Sequence, residues 1–279
     1  MRRPIRLNRN FCRKIWPSLQ RGCPDPRGLL DADISDGDAN EILVRMKIDG
    51  VFKTTWSDRF PETTRQLAAG GLPPQAVIVD VGASDGSTSL SVMRTLRFGR
   101  YYVTDRHIAA YACVTRKGMF FCDEHSNPFM FANRFVVIYN ETGEAPRSQS
   151  GIVQNLFAGF DMAKCRDVRK VPLVNRALLP RLGDDIRLER YDIFDAWPHE
   201  KADLVIAANI LNRDYFAETR LNEALRNLRG ALKDGGRLAL IENRPAEQSN
   251  LFRLEQGRFI VENQIGTGSD VKALVTGLA

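Results

Sequence analysis

The feature that most constrains the fold of this chain is a short run, Ala76-Val-Ile-Val-Asp80, that leads into a turn with glycines at 82 and 86. An apolar run rich in β-branched residues is the pattern of a strand buried on both faces of a parallel sheet. A helical stretch follows at 87–97, with Leu90, Val92, Met93 and Leu96 on one face. The alternation then repeats. Tyr101-Tyr-Val-Thr104 reads as a second strand, Ile186–Phe194 contains a third, and Asp203-Leu-Val-Ile-Ala-Ala208 is a fourth. Residues 216–233 form an amphipathic helix through Leu221, Leu225, Leu228 and Leu232, ended by Asp234-Gly235-Gly236. Arg237–Glu242 reads as a fifth strand, and two last strands are expected near 258–264 and 271–276. Strand-helix alternation predicts an α/β fold, a parallel sheet with helices on both faces. Ligands of such sheets sit beyond the carboxyl ends of the strands.

The segment before this pattern differs in character. Arg2, Arg3, Arg6, Arg9, Arg13, Lys14 and Arg21 all precede the first acid, Asp25, and account for more than the net charge of +6. Residues 1–24 therefore read as a basic arm able to meet nucleic acid or an anionic membrane surface. Its apolar residues, Ile5, Leu7, Phe11, Ile15, Trp16 and Leu19, make an interfacial helix conceivable, limited by Pro4 and Pro17 to the stretch between them. The plainer reading is a mobile, solvated tail. Residues 25–38 read as a loop. Ile42, Leu43, Met46 and Ile48 carry helical spacing, and a second helix is expected near 61–69, so 25–75 is a helical N-terminal extension and 76–279 the main domain. No apolar run of about 18 residues is present, which argues against a transmembrane segment. The basic start has no apolar stretch behind it to serve as a secretion signal. Five cysteines without a CxxC pair fit a reducing, cytoplasmic setting better than a disulfide framework.

The turn after the first strand reads Asp80-Val-Gly82-Ala83-Ser84-Asp85-Gly86. Glycine permits a sharp turn and close approach of a ligand to the backbone. Backbone N–H groups between a strand and a helix start suit a carboxylate or phosphate. The spacing does not supply the Gly-x-Gly-x-x-Gly of dinucleotide enzymes, and no lysine completes a Walker loop. Asp105 closes the second strand, where a carboxylate can accept both hydroxyl protons of a ribose cis-diol. This supports an adenosine ligand without choosing which one.

Asp80-x-Gly82-x-Ser84-x-Gly86 resembles motif I of the class I S-adenosylmethionine-dependent methyltransferases, Asp-x-Gly-x-Gly-x-Gly, with Ser84 at the middle glycine. The resemblance continues through Arg190-Tyr191-Asp192-Ile193-Phe194, Ala202–Asn209 and Gly235-Gly236-Arg237-Leu-Ala-Leu240. Gly257–Val261 and Ser269–Val275 resemble the family's closing antiparallel hairpin. It implies a Rossmann-like methyltransferase sheet and S-adenosyl-L-methionine as cofactor. The implied cofactor residues are Asp80, Gly82, Ala83, Ser84, Gly86, Asp105, Arg106, Asp192, Ile193 and Asn209. Asp192 would meet the adenine amino group, with Asp195 as a rival, and Ile193 would pack on the ring.

The resemblance implies no catalytic side chain, because methyl transfer from a sulfonium needs mainly positioning. Asn209, Asn212, Arg213 and Tyr215 are well placed after strand four. The absence of Pro-Pro after Asn209 argues against DNA amino-methylation. Asn209–Phe216 resembles the corresponding segment of chemotaxis-receptor glutamate methyltransferases. Residues 106–184 form an insertion between strands two and three, too long for an ordinary crossover. Met119–Asp123 and Phe129–Tyr139 read as strands around His125-Ser-Asn-Pro128, with a helix expected near 173–182. This β-hairpin-containing insertion is the expected source of substrate contacts. Cys113, Cys122, His125 and Cys165 fall in it, with spacing better read as buried thiols than as a zinc set. The methyl acceptor is left open among small molecule, protein and RNA. The alternative to an enzyme is a non-catalytic binding or scaffold subunit of the same fold.

Overall fold

The computed structural model describes residues 5–7, 24–48, 51–53, 55, 57–140, 151–243 and 245–278. Apart from Ile5–Leu7 and Pro24, the basic arm lies outside the described residues. In chain order the elements begin with β1 (Ile5–Leu7), α1 (Asp36–Leu43), β2 (Lys47–Ile48), β3 (Val51–Phe52), α2 (Pro61–Ala69), β4 (Val77–Val81), α3 (Ser87–Thr95) and β5 (Arg100–Asp105). They continue with β6 (Ala109–Val114), β7 (Met119–Cys122), β8 (Pro128–Ala132), β9 (Val136–Tyr139), α4 (Gly151–Ala158) and β10 (Asp167–Pro172). The last are β11 (Ile186–Arg190), β12 (Ala202–Ala208), α5 (Glu218–Ala231), β13 (Leu232–Asn243), β14 (Glu247–Glu255), β15 (Arg258–Ile265) and α6 (Lys272–Thr276). The chain divides into two compact units, one of Met1–Thr54 with His107–Leu179, the other of Thr55–Arg106 with Pro180–Ala279.

The second unit holds a seven-stranded sheet in the order β11-β5-β4-β12-β13-β14-β15. The first five strands run parallel, and β14 and β15 close the sheet as an antiparallel hairpin. Strand order reverses between β4 and β12, the place where open α/β sheets bind ligands. The apolar runs recognised in the sequence are buried as expected, with Ile78, Val79, Leu204, Val205 and Ile206 at 0–1% exposure. In α5, Leu221, Leu225 and Leu228 are fully buried in the same core. Each contributes about 1.5–3 kcal/mol by leaving water. No helix joins β11 to β12. Tyr191, Ile193, Phe194 and Trp197 pack on the core along that connection instead, and Trp197 meets Tyr102 and Tyr191 edge-on at 5.1 Å.

The first unit holds a six-stranded sheet, β1-β9-β8-β7-β6-β10, antiparallel except where β1 lies parallel to β9. Both its faces are apolar. Met119 and Phe121 of β7 join Ile42, Leu43 and Met46 on one face, whereas Phe120 and Cys122 join Phe131 and Phe157 on the other. Period-two alternation thus serves two cores, which is why Met119–Cys122 reads as a continuous apolar run.

Three expectations are corrected. Val271–Thr276 is not a strand. Val271 and Val275 are both fully buried at helical spacing, and α6 begins one residue after Val271. The hairpin partner of β15 is β14, which the sequence concealed behind two buried polar residues, Ser249 and Asn250. The helix near 173–182 reduces to a three-residue 3-10 turn, Leu179–Arg181, because Asn175 Oδ1 accepts the Ala177 N–H and Pro180 interrupts the ladder. Within the arm, Ile5–Leu7 is strand rather than part of an interfacial helix.

The C-terminal segment is fixed by polar contacts. Asn250 Oδ1 accepts the Ser269 N–H at 2.7 Å, and Ser269 Oγ donates to Glu242 Oε1 at 2.6 Å. Asn250→Ala would strand the buried Ser269 N–H. The expected loss is about 2–3 kcal/mol of unfolding free energy in urea, with faster amide exchange confined to 266–278. Uniform exchange across the unit would argue that this bond does not anchor the segment.

Candidate functional site

Strand β4 delivers the chain into a turn of three left-handed residues, Gly82 (φ 65°), Ser84 (φ 60°) and Gly86 (φ 78°). Glycine bears these angles freely, and the serine stands in a conformation that disfavours a side chain by about 1–2 kcal/mol. At Gly82 the space is also closed. A Cβ there would lie 2.6 Å from Ile210 Cγ2. The loop following β12 is therefore packed directly on the loop following β4.

Asp80 does not turn outward. It is 2% exposed, and its Oδ2 accepts hydrogen bonds from Ser89 Oγ at 2.7 Å and Tyr101 OH at 3.0 Å. Burial pushes its carboxyl up to about 6, against the opposing pull of those two donors. Burial, and after it the same carboxylate, raise the Tyr101 phenol well above its usual value. Asp80 therefore supports the turn from beneath.

The loop donors are also less open than the sequence implied. Ala83 N–H donates to Thr104 O, Ser84 N–H to Asp105 Oδ2 at 2.9 Å, Gly86 N–H to Ala83 O, and Ser87 N–H to Asp85 Oδ1. Asp105 thereby fastens the end of β5 to the turn. The Tyr191 N–H donates to Asp105 O, bringing the segment after β11 alongside. There Asp192 accepts the Phe194 N–H and faces Arg106 at 3.6 Å, and Ile193 is nearly buried. Asp195, the rival acid, is drawn into the same turn by donating its N–H to Asp192 O.

After β12, Asn209 takes a left-handed backbone (φ 57°). Its N–H donates to Ile241 O, and its Oδ1 accepts the Asn243 N–H at 3.0 Å. Those bonds fix the amide orientation and leave Nδ2 buried without a partner. A buried orphan donor is costly, so a ligand acceptor would relieve it. Asn212 is instead structural, its Oδ1 accepting the Asp214 and Tyr215 N–H groups. Arg213 is engaged with Glu218 and Asp270.

Sequence reasoning missed residues ahead of β4. A cavity of about 310 Å³ between α2 and α3 is lined by Phe60, Thr64, Arg65, Thr88 and Ser91. Burial pulls the nearby Arg59 guanidinium below its ordinary value, with Tyr215 opposing the shift. Nothing periodic marks Ser57–Phe60, so no sequence signal could have found them. Among the described residues no group of three or more His, Cys, Asp or Glu side chains is arranged to hold a metal. The Cys113 and Cys122 Sγ atoms lie 3.8 Å apart in the other unit.

No protein-family model matches the chain, and no curated protein does. Solved structures with some likeness include the amino pentose methyltransferase CalS10 from Micromonospora echinaspora with S-adenosylmethionine bound (15% identity, TM-score 0.36, covering 74% of this chain and 66% of that one). The N-methyltransferase NodS from Bradyrhizobium japonicum in complex with S-adenosylhomocysteine is another (15%, TM-score 0.33, 66% and 62%). Human N-acetylserotonin methyltransferase in complex with S-adenosylmethionine is a third (15%, TM-score 0.34, 75% and 39%). In each case the likeness spans less than two thirds of the solved chain.

Two stability measurements test this geometry. Asp80 has a folded pKa above its unfolded value. Its contribution is thus full below about pH 4 and is lost as pH rises through about 6. Asp80→Asn should raise unfolding free energy at pH 7 by about 1–3 kcal/mol and flatten the pH dependence between 4 and 7. Equal pH profiles would show that Asp80 does not titrate there. Gly82→Ala should cost about 2–4 kcal/mol, and part of that should return when Ile210→Ala is added. A strictly additive pair would mean the two side chains never meet.

Proposed function

We propose that the second unit binds S-adenosyl-L-methionine and that the chain is a methyltransferase. The observation that carries this reading is the convergence, at the carboxyl ends of β4, β5, β11 and β12, of the Gly82–Gly86 turn, Asp105, Asp192-Ile193 and Asn209 beside the strand-order reversal. The residues present fit the cofactor on one further count, the buried unpartnered Nδ2 of Asn209.

In this reading Asp105 accepts from the ribose hydroxyls while its Oδ2 keeps the turn in register through the Ser84 N–H. Ile193 offers an apolar face to the adenine, and Asp192, oriented by Arg106, accepts from the amino group. Gly82, Ala83, Ser84 and Gly86 let the cofactor approach the backbone closely. Asn209 Nδ2 donates toward the methionine half. Asp80 is a positioning residue that acts through Ser89 and Tyr101. The bound cofactor supplies a methyl group already activated on sulfur, so the protein's part is alignment and exclusion of water. The acceptor is assigned no further than a nucleophile brought to this edge.

Calorimetric titration of the full chain with S-adenosylmethionine tests the proposal. Saturable binding is expected, weakened about tenfold by Asn209→Asp. That substitution keeps the bond from the Asn243 N–H and tolerates the left-handed backbone, but loses the donor. Absence of binding by folded protein, undiminished binding by the variant, or preference for a nicotinamide dinucleotide would each overturn the reading.

A further inference from the structure

We propose that one end of the antiparallel sheet in the first unit binds single-stranded nucleic acid. The inference is independent of the cofactor site. The β6–β7 turn carries Arg116 and Lys117, the β8–β9 turn carries Arg134 and Phe135, and Arg166 precedes β10. Register places all three at the same end of the sheet. Val114, the last residue of β6, pairs with Asp167 at the start of β10 and accepts the Arg166 N–H. Met119 pairs with Ala132 across β7 and β8. Five neighbouring strands at about 4.8 Å spacing spread these groups over about 19 Å. That is a row suited to a chain of phosphates rather than to one.

Charge and exposure agree. Arg116, Lys117, Arg134 and Arg166 are exposed, and among the described residues no carboxylate pairs with any of them. Arg27, held by Asp25, completes the lining of a cavity of about 350 Å³ with Arg116, Lys117, Arg134 and Phe135. At the opposite end of the sheet the β7–β8 turn carries Asp123 and Glu124. The acids at this end, Asp25 and Asp167, are paired with Arg27 and Arg169, so the exposed cations form an electrostatic track for a polyanion.

Phe135 supplies what a bare polyanion track lacks. It is 59% exposed, and the Arg134 guanidinium lies 4.4 Å from its ring centroid. Asn133 Oδ1 accepts the Phe135 and Val136 N–H groups and so fixes the turn that presents the ring. An exposed aromatic ring beside cations is the platform on which unpaired bases stack while their phosphates meet Lys and Arg. A lipid surface would want several exposed apolar side chains; among the described residues of these five strands and their turns, the large ones are Phe135 and Val168.

The test is fluorescence anisotropy of the full chain with a labelled 12-nucleotide oligouridylate across a salt series. Wild type should bind, with affinity falling steeply as salt rises. Lys117→Gln with Arg134→Gln should weaken binding roughly tenfold or more and reduce the salt slope by about 1.4. Phe135→Ala should weaken it about 5- to 150-fold with little change of slope. These side chains are exposed, and unchanged melting curves would confirm that the variants fold. No binding by wild type overturns the proposal. So does wild-type affinity in both variants, which would place binding elsewhere in the chain. Weakening by the charge variant alone, with phosphatidylserine vesicles or heparin bound equally well, would mean a general anion surface and would overturn it too.

Discussion

The second unit is organised around a carboxylate placed where water cannot reach it. Asp80 lies one residue before the end of β4, and its Oδ2 gathers Ser89 from α3 and Tyr101 from β5. One oxygen atom thus joins the strand, the helix after the turn and the neighbouring strand. Removing one partner from such a buried set is more damaging than the net worth of the set suggests, because the remaining groups are left unsatisfied. The cost of burial is visible in the raised carboxyl pKa of about 6. What it secures is a turn that can hold three left-handed residues in succession of two, with Ile210 seated on Gly82. The edge where β5, β11 and β12 deliver their own residues is registered against this fixed turn.

Much of that arrangement was legible in the sequence because parallel strands buried on both faces need apolar runs, and Ala76–Val79 and Leu204–Ala208 supply them. Asp105 stood out because it closes such a run, Tyr101–Thr104, whereas Asp192 was singled out by the resemblance of Arg190–Phe194 to the family's segment after strand three. What was not legible depends on partners far away in sequence. Nothing around Asp80 announces that Ser89 and Tyr101 will turn it inward. The occupied donors of Ala83 and Ser84 depend on Thr104 and Asp105. Strand β14 escaped because Asn250 and Ser249 are polar yet buried, satisfied by Ser269 and Thr63 from distant segments. Val271–Thr276 misled in the opposite sense. Its β-branched residues favour strand, and burial at positions 271 and 275 overrides that weak preference.

The two sheets use similar residues under different rules. In the parallel sheet an apolar run means helices or aromatic side chains cover both sides, with Trp197 and its neighbours replacing one helix. In the antiparallel sheet the same appearance arises because odd and even residues of β7 serve two separate cores, one with α1 and one with the Phe120–Phe157–Phe160 ring cluster. Apart from the largely exposed edge strands β10 and β15, both sheets spend their side chains on interior packing. The two proposed sites lie at strand ends, the carboxyl ends in one unit and the turns in the other.

The register of β11 against β5 bears on the order in which the chain folds. Tyr101 and Ile186 are neighbours in the sheet although the whole insertion separates them. Closing roughly eighty residues in place of a dozen adds about 1.5 kcal/mol of loop entropy, and pairings so distant form slowly. The insertion is pinched at its base, where Ala109 pairs with Pro172 and the Leu173 N–H donates to Ile108 O. Once that neck forms, the span left to close is only the stretch from Leu173 to Asp185. An early antiparallel sheet would thus act as a tether that hastens the arrival of the third strand, and with it the acid at 192.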